Sequence, residues 1–101
     1  MIDDKLGKYI RHKREEKGIS LRGFAKQVGL SATMMSQFET GIFSSPGEDK
    51  IKNMSIVLGE DLDHLLSLAH RIPFDISAMI TSLPATNIKK LRKYLEELSH
   101  D

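Results

Sequence analysis

The sequence predicts an all-α protein, on three observations. No stretch alternates apolar and polar residues with a period of two, and valine occurs only twice. Glycines punctuate the first sixty residues: Gly18, Gly29, Gly41 and Gly59 each follow an apolar-periodic segment, and Gly23 lies near the start of one. Ser20, Ser31, Ser45 and Asp61 stand just ahead of such segments, where a side-chain oxygen can accept from the free N–H groups of a first helical turn.

Taken in chain order, a first helix is expected from about Asp4 to Lys17, with Leu6, Ile10 and then Lys13 or Arg14 on one face and Gly18 as a left-handed cap. Ser20 caps a second helix, Leu21 to Val28. Ser31 caps a third, Ala32 to Thr40, closed by Gly41. Ser45-Pro46-Gly47-Glu48 reads as a capping box with proline at the first helical position. It opens a fourth helix through Ile51, Met54, Val57 and Leu58 to Gly59. Asp61 caps a short fifth with Leu62, Leu65, Leu66 and Ala69. Ile72-Pro73-Phe74-Asp75 breaks the pattern, and a sixth helix is expected from about Ile76 to Leu83, stopped near Pro84. The last helix, about thirteen residues long, carries Ile88, Leu91, Leu95 and Leu98 at spacings of three, four and three, with Tyr94 beside them. Its bases come early and its acids late, against the preference of the helix dipole, so it depends on packing that stripe.

Composition narrows the function classes. The chain has 101 residues, 40% apolar and 29% charged, enough for one modest core but not for a deep cleft between two lobes. No apolar run approaches the roughly 18 residues that cross a bilayer. The charged N-terminus has no signal-peptide h-region, so a cytoplasmic location is expected. Without cysteine there is no disulfide framework, thiolate zinc site or thiol nucleophile. His12, His64, His70 and His100 lack partners at i+3 or i+4, and Glu60, Asp61 and Asp63 read as a cap plus solvated acids, so neither metal nor cofactor is expected. No convergent acid–base set points to an enzyme.

The formal net charge of +1 hides an asymmetry. Residues 5–26 hold Lys5, Lys8, Arg11, Lys13, Arg14, Lys17, Arg22 and Lys26 against Glu15 and Glu16. Residues 60–75 hold Glu60, Asp61, Asp63 and Asp75 against Arg71. A basic end suits a polyanionic partner, although a solvated helix face would look the same.

The segment Leu21 to Gly41 carries the chemistry. From Ala25, where a small side chain lets a second helix cross closely, Gly29 lies four residues on, Met35 ten and Phe38 thirteen. Phe24, Val28, Leu30, Met35 and Phe38 form an inward apolar set around a turn that needs positive φ at Gly29. This is helix-turn-helix spacing.

The sequence resembles the phage-repressor-like (Xre-type) helix-turn-helix regulators. Leu6, Ile10, Arg11, Arg14, Glu15, Glu16, Gly18, Ser20, Leu21, Arg22, Ala25, Gly29, Leu30, Ser31, Ser36, Gln37, Glu39, Gly41 and Pro46 stand in register with a pattern common in that family. The likeness covers about residues 5–73. It implies a lambda-repressor-like five-helix DNA-binding domain over residues 1–72, usually dimeric, with two further helices in an extension over 73–101. Three positions stand out: Lys13 stands for a buried leucine, Leu21, as in a subgroup with Ser-Leu-Arg, replaces the phosphate-holding glutamine of many members, and Phe43 is more apolar than a solvated loop needs.

With the third helix in a major groove, Ala32, Thr33, Met34, Ser36 and Gln37 are the candidate base readers. Gln37 can pair bidentately with adenine, while Ala32 and Met34 can touch a thymine methyl. A plain polar helix face is the alternative, and for Met34 a place in the core. Candidate phosphate contacts are Arg11, Arg22, Lys26, Ser44 and Ser45. The resemblance suggests an ion pair between Arg14 and Glu39 that orients the recognition helix. As an exposed pair it would contribute at most about 1 kcal/mol.

The leading expectation is therefore a double-stranded DNA-binding regulator, a repressor acting as a homodimer on a palindromic operator. Its dimer element would be Ile88, Leu91, Leu95 and Leu98, unless that stripe packs on the first and fifth helices. The rival is a protein-interaction module, an antitoxin or anti-repressor type of partner, that uses the C-terminal extension.

Overall fold

The computed structural model describes residues 5–43 and 45–100. These form seven helices and no strand: α1 (Lys5–Glu16), α2 (Leu21–Val28), α3 (Ala32–Glu39), α4 (Glu48–Leu58), α5 (Leu62–Leu68), α6 (Phe74–Thr81) and α7 (Ala85–Leu98). Three of the expected caps form: Ser20 Oγ accepts from the Gly23 amide at 3.0 Å, Ser31 Oγ from Met34 at 3.1 Å, and an Asp61 carboxylate oxygen from His64 at 3.2 Å.

Left-handed residues reverse the chain after each of α1 to α5. Four are glycines and the fifth is His70, at φ 55°. There the His70 amide donates to the Ser67 carbonyl (3.1 Å) and the Arg71 amide to that of Leu66 (2.9 Å), the paired bonds of a Schellman cap. The sequence gives no glycine to announce this stop, and a non-glycine residue in that region costs about 1–2 kcal/mol.

Two expected boundaries differ. The capping box at Ser45–Glu48 does not form. Gly47 is the N-cap of α4, without a side-chain cap, and Pro46 lies outside the helix. Ser45 Oγ instead donates to the Pro46 carbonyl at 3.1 Å. Glu48 Oε1 accepts from the amide of Phe74 at 2.9 Å, so it caps α6 rather than its own helix. That external cap lets α6 begin at Phe74, directly after Pro73, two residues ahead of the expected start.

The core is built by α1 to α5 alone. Leu6, Ile10, Phe24, Ala25, Val28, Met35, Phe38, Ile51, Met54, Leu58, Leu65 and Leu66 are buried, and Leu21, Leu30 and Phe43 pack against them. Phe43 thus serves the core, and Leu21 packs half-buried against it. Lys13 keeps its stem on the domain while its ammonium lies 3.8 Å from Glu60 and 5.6 Å over the Tyr9 ring. No residue of α6 or α7 is buried. The molecule measures 49 × 28 × 26 Å with a radius of gyration of 16.2 Å. A compact chain of this length would have about 13 Å, and the excess reflects the extension.

Candidate nucleic-acid interface

The helix-turn-helix is assembled as its spacing requires. Ala25 is fully buried, and Gly29 takes φ 93° at the end of α2. Met35 and Phe38 pin one side of α3 into the core. The opposite side is thereby fixed outward: Thr33, Ser36 and Gln37 are exposed, Ala32 is half-buried, and Met34 is 40% exposed, which removes it from the core. Thr40 Oγ1 donates back to the Ser36 carbonyl at 2.8 Å, so the end of this face is tied to the helix.

Two contacts fix how α3 sits on α1. Arg14 Nε donates to Glu39 Oε2 (2.8 Å) and Nη2 to Oε1 (2.9 Å), while Nη1 donates to the Ile19 carbonyl (2.8 Å). Both side chains are buried, at 10% and 2% exposure, so the pair is not the exposed, weakly stabilising one that the sequence suggested. The Glu39 hydrogen bonds raise the Arg14 pKa above its ordinary value despite the opposing effect of burial. The second contact was not foreseen. Gly7, buried on α1, lies so close to α3 that a Cβ there would overlap the Phe38 carbonyl oxygen. A glycine inside an apolar-periodic helix was the available signal.

Of the expected phosphate contacts, Arg22 is exposed on the first turn of α2, and Lys26 is exposed in its last turn. Ser45 is half-buried in the turn before α4. Ser44 lies outside the described residues. Arg11 sits elsewhere, with Lys8, His12, Glu15, Glu39 and Thr40 around a shallow cavity of about 440 Å³ beside the C-terminal end of α3. It pairs with Glu15 at 2.7 Å, and that hydrogen bond holds the Glu15 carboxyl below the usual range. Arg11, Lys13 and Arg14 have acidic partners within the domain. The sequence also did not announce Asn53, whose Nδ2 donates to the Val28 carbonyl (2.8 Å) and ties α4 to the end of α2.

A family model described as "Helix-turn-helix" (HTH_3) matches residues 10–65, more than half of the chain. The chain belongs to the Xre-type helix-turn-helix family. It is 29% identical over 70 residues to the HTH-type transcriptional regulator SinR of Bacillus subtilis (strain 168), a match spanning 69% of this chain but only 63% of that protein. Among solved structures, SinR, described as the master regulator for biofilm formation, in complex with DNA, matches with a TM-score of 0.56 at 30% identity, covering 60% of this chain and 97% of that one. The SinR/SinI protein complex gives 0.57 at 22% identity, covering 95% and 99%. The clp gene regulator ClgR from Corynebacterium glutamicum gives 0.59 at 20% identity, covering 99% and 88%. These last two establish the all-α fold of this Xre-type chain over nearly its whole length. Among the described residues no helix is long and apolar enough to cross a membrane.

The stripe on the last helix is open. Leu95 and Leu98 are 51% and 47% exposed, and Ile88 and Leu91 are half-buried. With Ile80 of α6, three of these residues (Ile88, Leu91 and Leu95) line a groove of about 390 Å³. The expected alternative, burial of the stripe on α1 and α5, is not realised.

Proposed function

We propose that this Xre-type protein is a sequence-specific transcriptional repressor that binds double-stranded DNA as a homodimer on an imperfect palindrome. The observation that carries the reading is the outward face of α3, polar and exposed at Thr33, Ser36 and Gln37, on a helix held by the core and by a buried ion pair. Gln37 pairs with adenine, Thr33 and Ser36 offer hydroxyls to base edges, and Ala32 and Met34 meet a thymine methyl. Arg22, Lys26, Ser44 and Ser45 take the backbone phosphates, and Arg11, whose Nε is held by Glu15, takes one through its terminal guanidinium nitrogens. The DNA complex of SinR supports this reading.

One α3 reads few base pairs, so specific affinity calls for two copies about one DNA turn apart, roughly 34 Å. Residues 73–101 supply the dimer contact through Ile88, Leu91, Leu95 and Leu98. The exposure of this stripe also favours a second reading, in which α6 and α7 receive a different protein; the SinR/SinI likeness supports it at the level of fold.

The test is selection of bound duplexes from a randomised pool, with wild type and Gln37→Ala, at about physiological salt. A palindromic consensus that loses preference at one position per half-site in the variant is expected. No enrichment, or enrichment unchanged by the substitution, would refute base reading.

A further inference from the structure

Between α3 and α4 runs the turn that carries Ser45 and leads into the free amides of α4. That turn is held from a distance. Arg71 Nη1 donates to the Pro46 carbonyl at 2.6 Å and lies 3.5 Å from Ser45 Oγ. Glu48 Oε1, on the first turn of α4, accepts from the Phe74 amide at 2.9 Å. The two contacts join residues 25 or 26 apart and run in opposite senses: the side chain of Arg71, between α5 and the extension, grips the turn, and the side chain of Glu48, beyond the turn, grips the first amide of α6. The left-handed residue His70 reverses the chain at the end of α5, immediately before Arg71. Pro46 is buried, and α4 has no side-chain cap of its own to fix the turn.

We propose that Arg71 is a positioning residue for DNA binding, and that with Glu48 it clasps the α3–α4 turn to the C-terminal extension. Residues 45–47 and the first amides of α4 are then held toward a phosphate in one fixed geometry, with the Ser45 hydroxyl proton committed to the Pro46 carbonyl, and the extension is part of the DNA-gripping unit. A guanidinium bonded to a carbonyl is a charge-assisted contact, stronger than a neutral one. The inference rests on the DNA-binding reading above.

The experiment measures affinity for the selected duplex across a salt series, using full-length wild type, Arg71→Met, Arg71→Lys, Glu48→Ala and Arg22→Ala, with melting temperatures alongside. Arg71→Met is expected to weaken binding about tenfold, the size of one such bond, with the slope of log K against log salt unchanged and part of the loss recovered in Arg71→Lys. Glu48→Ala is also expected to weaken binding with an unchanged slope, although loss of an acid near DNA would by charge alone tighten it. A slope lowered by about one in Arg71→Met would make Arg71 itself a phosphate ligand and overturn the positioning role. Unchanged affinity in both Arg71→Met and Glu48→Ala would overturn the clasp. Should Arg71→Met fail to fold, Glu48→Ala decides by the sign of its effect. If wild type binds no duplex, the DNA-binding reading itself fails. If wild type binds and Arg22→Ala lowers the slope while the clasp variants behave as wild type, only the clasp falls.

Discussion

Arg14 and Glu39 show how burial changes the meaning of a pair visible in the sequence. Two formal charges at 2.8 and 2.9 Å, nearly out of water, satisfy each other, and removing one leaves the other stranded. Glu39→Ala should therefore cost about 3–5 kcal/mol, while replacing both partners by apolar residues of similar volume, Arg14→Met with Glu39→Leu, should restore most of it. Urea unfolding of wild type and the two variants checks this. Tyr9 gives a pH prediction. Burial first, and then its 3.1 Å hydrogen bond to Glu60, raise the Tyr9 pKa above the ordinary 10.0. A raised value means the folded state holds the proton more tightly, so this contribution is complete below the ordinary value and is lost as pH rises through the folded one. From pH 9 upward, wild type should lose stability more steeply than Tyr9→Phe in denaturant unfolding.

At the scale of elements, what could be read depended on how local the cause was. The bounds of α2 and the start of α3 were legible because Ser20, Gly29 and Ser31 act within one turn of the residues they cap. The start of α4 was not, because the choice was made elsewhere: Glu48 found the Phe74 amide, and Arg71 took the Pro46 carbonyl. The exposed face of α3 followed from helical periodicity, whereas the seat of α3 on α1 depends on Gly7, a contact between residues 31 apart along the chain. Gly7→Ala should force the two helices apart, costing about 1–3 kcal/mol as overpacking does, and should weaken DNA binding through the displaced α3. Thermal melting and duplex affinity, measured on the same variant, report the two effects.

For the whole molecule, the extension adds surface without adding core. Leu95→Asp should leave the unfolding free energy within about 0.5 kcal/mol of wild type, because no buried contact is lost. It should shift the protein toward monomer in sedimentation, or abolish capture of a heterologous partner where the stripe serves that purpose. The side chains that hold α3 in place are Met35, Phe38 and Glu39, and those offered outward are Thr33, Met34, Ser36 and Gln37. Because the two sets share no member, the outward positions can be rewritten without disturbing the scaffold. If those four residues read DNA as proposed, the domain is a chassis on which an altered binding preference can be grafted by exchanging them alone.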